Sequence, residues 1–482
     1  MGNTYYIAAI ELSSSKISGA VSMETTEGMK ILAAASTPVE GFITKGVVRN
    51  IVETSKAINY IINELEQKLR EKYDVDIKRA YTSLAGLSMK SVGSKVTKGY
   101  EDYTRISEDT VDNLAIENET AFHCPDGFVS VGTIKQEYKL DGKMETMPVG
   151  TAAKIIEGHY LNLIFKEQFQ KQLNDSFAEA KLVIEDSSCA ACIDADIILS
   201  EDTRRNGCAL VNIGADTTTI SIYTKGILRM LNVLPIGSSN ITRDLCAEHV
   251  SYNKAEEIKI TRGYKPGNNE SGTTIDAERA DEIICARMSE ILQNVKARIE
   301  GFDGHIQHII FTGGGSKLKN LNLLLDETLP NFRNEIASEP KFNIISDNDV
   351  NTSCISATLY GLLKQGKTNC CEKEVLIKET PKPVVQTTIF TNEEEEQEEQ
   401  IIENDELSEK RRIEEEERKR REQEEREREK ERKKEEKEAE RQRKIKEKEE
   451  KKKNKKPNAV VSLFKQWFEE ASEEDEGDND ND

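Results

Sequence analysis

The stretch Gly207-Cys208-Ala209-Leu210-Val211-Asn212-Ile213-Gly214-Ala215-Asp216-Thr217-Thr218-Thr219 decides the reading of the fold. An apolar run stops at a short glycine- and threonine-rich turn, and Ile220 to Tyr223 resumes in alternation, so the segment reads as strand, tight polar turn, strand. The chain opens with the same pattern. Tyr5 to Leu12 is an apolar run, Ser13-Ser14-Ser15-Lys16 the turn, and Ile17 to Val21 the returning strand. Between the two copies, Ile58, Ile61, Ile62, Leu65 and Leu69 recur at helical spacing, the stripe of a helix packed on a sheet. Strand and helix alternate, which makes the class α/β.

A third turn follows Ile306 to Thr312: Gly313-Gly314-Gly315-Ser316 precedes a helical run with leucines at 318, 321, 324 and 325. Glycines there let backbone N–H groups approach a ligand at a helix N-terminus. Residues 86–165 have another texture, with extended pieces such as Phe128 to Lys139 and a helix-like run from Ser107 to Thr120, and read as a small inserted α/β module.

Charge separates a folded head from a long tail. From Glu393 to Lys456 the chain carries 27 acidic and 24 basic residues in 64 positions, which leaves too few apolar side chains for a core. The head, residues 1–392, holds 53 acids against 43 bases and exceeds what one core usually serves, so at least two lobes are expected. An acidic head without a basic face is a poor binder of nucleic-acid phosphates, and nucleic acid is excluded as a partner. The N-terminus lacks a basic flank backed by an apolar run, and no stretch of 18 apolar residues occurs, so neither export nor a membrane span is expected. Nine scattered cysteines suit a reducing compartment, and Cys189 and Cys192 read as small helix-packing residues rather than a redox or zinc pair.

Two hydroxyl-rich hairpin turns, one per lobe, can clamp a nucleotide's phosphates from both sides. No GxxxxGK[ST] occurs, so this is not a P-loop. In order and spacing the three turns resemble those of the actin-like ATPases, and within them the FtsA family of bacterial cell-division proteins. The resemblance spans about residues 5–368 and implies a two-lobed actin-like (ribonuclease H-like) fold that binds ATP, with magnesium held through the nucleotide rather than by direct protein ligands. It makes Glu11 to Lys16, with Ser13, Ser14 and Ser15, the first phosphate loop, and Asn212 to Thr219, with Gly214, Ala215, Asp216 and Thr217, the second. Thr312 to Ser316, with Gly313, Gly314 and Gly315, becomes the adenosine motif, and Gly237 is carried with the ATP-binding set. Glu256 and Lys259, in Ala255-Glu256-Glu257-Ile258-Lys259-Ile260, are similar to the pair that meets ribose and adenine. Glu185 resembles the acid of the first connecting helix that orients the attacking water. Glu11, Asn212 and Glu185 thus form the catalytic set. Ala357 to Leu363 resembles the second connecting helix, and residues 86–165 the inserted 1C subdomain.

Two departures stand out. Ser13 replaces the glycine usual in the first loop, and a Cβ narrows the backbone's approach to phosphates. Asn212 replaces the aspartate that usually opens the second loop, which keeps the shape and loses the charge. ATP hydrolysis is therefore expected to be slow or absent.

The resemblance divides the chain into lobe 1 (1–85, 166–205 and 350–368), the insertion (86–165), lobe 2 (206–349) and a tail. The tail reads as a linker (369–409), a solitary charged helix or disordered spacer (410–456), an amphipathic helix (457–470) and an acidic end (471–482). Val460, Val461, Leu463, Phe464, Trp467 and Phe468 share one face of that helix, five lysines precede it, and it reads as a weak anchor in lipid headgroups or a helix that docks on a partner. The FtsA resemblance favours lipid and implies that FtsZ, further copies of the chain and later division proteins are partners on the cytoplasmic face of the inner membrane, at the septum. A PilM-type pilus scaffold and an actin-fold chaperone or sugar kinase are the alternatives.

Overall fold

The structure is a computed structural model and describes residues 5–70, 72–264, 276–337, 344–346 and 350–372. Chain order begins with β1 (Tyr6–Leu12), β2 (Lys16–Thr25), β3 (Gly28–Pro38), the short hairpin β4 (Ile43–Thr44) and β5 (Val47–Val48), α1 (Ile51–Arg70), β6 (Asp76–Ile77) and β7 (Arg79–Leu84). The insertion follows as β8 (Lys90–Arg105), α2 (Glu108–Ala121), β9 (Phe128–Leu140), β10 (Lys143–Glu145) and β11 (Ala152–Lys166). Then come α3 (Glu167–Glu179), β12 (Val183–Cys189), α4 (Ala190–Ile198) and α5 (Glu201–Asn206). Lobe 2 contains β13 (Cys208–Ile213), β14 (Thr218–Thr224), β15 (Ile227–Leu234), α6 (Ser239–Cys246), α7 (Tyr252–Arg262), α8 (Ala277–Glu300), β16 (His308–Thr312), α9 (Leu321–Thr328) and β17 (Arg333–Ile336). The described chain ends with β18 (Ile344–Ser346), α10 (Ala357–Gln365) and β19 (Cys371–Glu372).

The repeated hairpin of the sequence becomes a repeated sheet. Lobe 1 has the order β12-β7-β1-β2-β3-β18 and lobe 2 the order β17-β16-β13-β14-β15. In each lobe the central strand pairs antiparallel with the strand after its turn and parallel with the strand on its other side. The registers Leu12↔Ile17 and Ile213↔Thr218 place the two polar turns at corresponding sheet ends. All five apolar positions expected on the first helix are buried on α1, where each contributes about 1.5–3 kcal/mol of transfer free energy. A separate core fills lobe 2, around Ile213, Ile222, Met288, Leu292 and Phe311.

Ser107 caps α2 by accepting from the Thr110 N–H, and the insertion builds its own sheet, β10-β9-β11-β8, over a small core of Leu114, Ile156 and Tyr160. Two expected borders shift. β18 pairs parallel with β3, so the chain has rejoined the lobe 1 sheet by Ile344. Residues read as the start of the linker pack on lobe 1 instead: Cys370 and Cys371 are buried, the Cys370 N–H donates to Tyr6 O at 2.8 Å, and β19 pairs with β6. Two adjacent buried cysteines are too apolar for a solvated linker, a cue outweighed in the sequence by the prolines further on. The spacer 410–456, the amphipathic segment 457–470 with Val460, Val461, Leu463, Phe464, Trp467 and Phe468, and the acidic end lie outside the described residues.

Candidate functional site

The first turn is held by its own side chains. Ser13 Oγ donates to Lys16 O at 2.8 Å and the Ser13 N–H to the same oxygen at 3.1 Å, so the hydroxyl is spent within the turn. Ser14 Oγ accepts from the Gly46 N–H at 2.8 Å, Ser15 O accepts from the Val39 N–H, and Lys16 Nζ reaches Cys354 O at 3.0 Å.

The second turn rests on the start of α6. The Ser238 and Ser239 N–H groups donate to Gly214 O and Ala215 O at 2.9 and 2.8 Å, and the Gly214 N–H donates to Thr217 O. A Cβ at Gly237 would lie 2.4 Å from Ala215 O, so only glycine admits this backbone contact. Asp216 joins the lobes: its carboxylate accepts from the Lys45 N–H of lobe 1 at 3.1 Å and from the Arg243 guanidinium of α6. Its charge is committed to that bridge.

Beside the second turn lies the third. Gly313 has φ +88° and a Cβ there would stand 2.3 Å from Asn212 Oδ1, so the two loops touch through a glycine. Gly314 faces open space, Gly315 packs on Ile213, and buried Ser316 donates to Gly313 O at 2.8 Å. These residues open a 3₁₀ turn, Gly314–Lys317, instead of the α-helix expected after them. The helix starts later, at Leu321, because Asn320 takes a left-handed conformation. On α7, buried Lys259 donates to Glu256 at 2.8 Å and to Thr242 at 3.0 Å, while Thr242 donates to Glu256 at 2.6 Å. The spacing of three residues puts this pair on one face of the helix.

Between the lobes stands a group of carboxyls. Glu11, at the end of β1, accepts from Ser356 Oγ at the start of α10. Asp194 of α4, fully buried, accepts from Thr358 Oγ1 of α10 at 2.6 Å and from Asn212 Nδ2 of lobe 2 at 2.7 Å. Burial raises both carboxyls from their ordinary values. For Glu11 the Ser356 hydrogen bond opposes that rise and the nearby Asp194 adds to it, whereas for Asp194 the bonds from Thr358 and Asn212 oppose it.

Glu185 does not join this group. It lies on β12, four residues before the strand end where α4 begins, which is about 13 Å at 3.3 Å per residue. There it pairs with Arg79 at 3.1 Å and borders a surface hollow with Gln170 and Lys181. The acid that α4 supplies is Asp194, which the sequence reading missed. Its signal was present in Ala190-Ala191-Cys192-Ile193-Asp194-Ala195-Asp196-Ile197-Ile198, where one carboxylate falls on the apolar face formed by Ile193 and Ile197.

Comparison with known proteins bears on the family and the fold. The family profile described as "Cell division protein FtsA" matches residues 209–347, from β13 through lobe 2. The chain is 28% identical to the cell division protein FtsA of Porphyromonas gingivalis over 351 residues, covering 68% of this chain and 72% of that protein. It is 23% identical to the cell division protein FtsA of Escherichia coli over 390 residues, covering 75% of this chain and 90% of that one. Among solved structures, a chain of the PilM-PilN type IV pilus biogenesis complex superposes with a TM-score of 0.54 at 16% identity, covering 74% of this chain and 97% of that chain, a likeness of fold alone. With the paired sheets, the three turns and these relatives in view, the chain is similar to the cell division protein FtsA over two thirds to three quarters of its length and has a two-lobed, actin-like fold.

Proposed function

We propose that the protein binds ATP with magnesium between its two lobes and tethers FtsZ filaments to the cytoplasmic face of the inner membrane at the septum, with residues 457–470 as the anchor. The observation that supports the nucleotide half is the set of contacts that tie the turns together: Gly313 lies against Asn212, the Lys45 N–H donates to Asp216, and Ser238, whose N–H donates to Gly214 O, accepts from Lys259, the partner of Glu256. Ser14, Gly214 and Gly314 would meet the phosphates, and Glu256 with Lys259 the ribose and base. Buried carboxyls at Glu11 and Asp194 fit a hydrated magnesium ion, which when bound would neutralise charge developing on a transferred phosphoryl group. The chain's own residues hold Asp194 in place and keep Asn212 turned toward it, and turnover is slow because the second loop brings no carboxylate to the phosphates.

A single terminal helix with an acidic end binds lipid weakly, so self-association of the heads supplies the avidity, and later division proteins join the assembled array. Flotation of FtsZ with GTP on liposomes tests the tether. FtsZ should float with the intact chain and sink with the Phe464→Glu, Trp467→Glu double variant. Flotation of the intact chain while FtsZ stays behind would overturn the division role and favour a pilus-type scaffold.

A further inference from the structure

The second turn, Gly214-Ala215-Asp216-Thr217, carries an acid where the proposed ligand is itself anionic. The Asp216 carboxylate is half-buried and uses both oxygens: Oδ2 accepts from the Lys45 N–H at 3.1 Å, and Oδ1 from the Arg243 guanidinium of α6. Lys45 belongs to lobe 1, at the tip of the two-residue hairpin between β4 and β5, where Thr44 stands opposite Val47. Lys45 and Gly46 have φ +53° and +70°, the left-handed pair of a type I′ turn. The tip is held from behind: the Leu87 N–H donates to Lys45 O at 3.1 Å, and a Cβ at Gly46 would stand 2.6 Å from Gly86 Cα. From that fixed tip the next amide, the Gly46 N–H, donates to Ser14 Oγ of the first turn at 2.8 Å. Two successive backbone N–H groups thus serve the two turns, one meeting a hydroxyl and the other an anion. Consecutive amides with a guanidinium beside them are an anion-binding arrangement, and the anion here is the chain's own. As a surface ion pair alone, Asp216 and Arg243 would add little, since Arg243 is more than half exposed. What sets this carboxylate apart is that its other oxygen reaches across to lobe 1, beside Ser14.

We propose that the Lys45 N–H and the Arg243 guanidinium form a site for the terminal phosphate of a nucleoside triphosphate, and that Asp216 fills it as a built-in competitor. The proposal deepens the nucleotide reading of the cleft and rests on it for the identity of the ligand. A triphosphate must turn Asp216 out before it reaches these donors, because carboxylate and phosphate repel and the same donors cannot serve both. A diphosphate lacks that group and leaves the bridge in place. The chain therefore gives up the preference for ATP over ADP that an uncharged residue at 216 would confer, and removing the charge restores it.

The test measures binding of ATP and ADP, each with magnesium, to the full chain by calorimetry. The proteins are the native chain, Asp216→Ala, Asp216→Asn and the Asp216→Ala, Arg243→Gln double variant. Asp216→Asn keeps the shape and an acceptor for the Lys45 N–H, which guards against misfolding. The native chain should hold ADP at least as tightly as ATP. Asp216→Ala should gain about tenfold for ATP and under about twofold for ADP, Asp216→Asn should move the same way, and Arg243→Gln should remove most of the gain. A parallel arm without nucleotide follows thermal unfolding in inorganic phosphate against chloride at matched ionic strength. Phosphate should raise the Tm of Asp216→Ala more than that of the native chain or the double variant. A native preference for ATP, or equal gains for ATP and ADP, overturns the competition. Equal phosphate shifts in all the proteins overturn the anion site. If no protein binds either nucleotide, the reading of the cleft fails, and the phosphate shift alone decides the site.

Discussion

The side-chain amide of Asn212, on the lobe 2 loop, donates a 2.7 Å hydrogen bond to the buried carboxylate of Asp194 on α4. An aspartate at 212 would set two carboxylates at that distance, so the amide and the helix acid suit each other. Asn212→Asp should destabilise the protein by about 2–4 kcal/mol at neutral pH, the order of a like-charge pair at close range. Adding Asp194→Asn, which reverses the pair, should restore most of the loss. Urea unfolding of the three proteins checks this, and strictly additive effects of the two substitutions would contradict it.

The insertion is bound to lobe 2 as well as to lobe 1. Arg229 of β15 pairs through both terminal nitrogens with Glu137 of β9 and also donates to Gln136 at 2.9 Å, while Ser91 Oγ of β8 accepts from the Leu231 N–H at 2.9 Å. Both charges are largely buried. Glu137→Ala leaves the Arg229 guanidinium without its carboxylate and should cost about 3–5 kcal/mol, whereas Lys225→Ala, which removes the exposed third member, should cost under about 1 kcal/mol. Thermal unfolding distinguishes the two; a similar loss in both would show that the buried bond carries little.

The same pair sets an acid limb. Arg229 holds the Glu137 carboxyl down at about 2, against 4.5 in an unfolded chain. A lowered folded value means that the stability it lends is present above 4.5 and is lost as pH falls toward 2. Glu11 and Asp194 act with the opposite sign: burial raises them, so the stability they lend is fullest at acid pH and declines as pH rises through their folded values. Between about pH 5 and pH 3, stability should fall less steeply in Glu137→Gln than in the native chain, as read by denaturant midpoints. Parallel curves would contradict the assignment.

Lys259 is buried with Glu256, Thr242 and Ser238 O as its partners. Lys259→Met keeps the stem's volume, removes the charge and leaves Glu256 with the Thr242 hydroxyl. Affinity for ATP should fall at least about tenfold, the equivalent of about 1.4 kcal/mol, with a smaller effect on Tm. Unchanged affinity would remove this pair from the site.

Much of the frame was legible because it rests on local rules. The two turns, the α1 stripe and the helix-like run after Ser107 follow from alternation and helical spacing. Glu256 and Lys259 were singled out by the family resemblance, and helical spacing explains why they meet. What escaped depends on contacts distant in sequence. Glu185 looked like the acid of α4 because it stands near Ser187-Ser188-Cys189, but where strand gives way to helix is set by pairing with β7, which carries the strand on to Cys189. Asp194 acquires its meaning only when α10 and the lobe 2 loop bring Thr358 and Asn212 to it. The return of β18 to lobe 1 is likewise a pairing of Ile344 with Met29, more than 300 residues away.

The measurement that bears most directly on the interlobe cleft is equilibrium binding of a fluorescent ATP analogue to the full chain, with and without magnesium, alongside phosphate release. The expected result is magnesium-strengthened binding that is lost in Lys259→Met and weakened in Asp194→Ala, with turnover far below one per second. Absence of binding in the native chain, or turnover near one per second that Glu185→Ala abolishes while Asp194→Ala leaves it intact, would contradict the site described for this cleft.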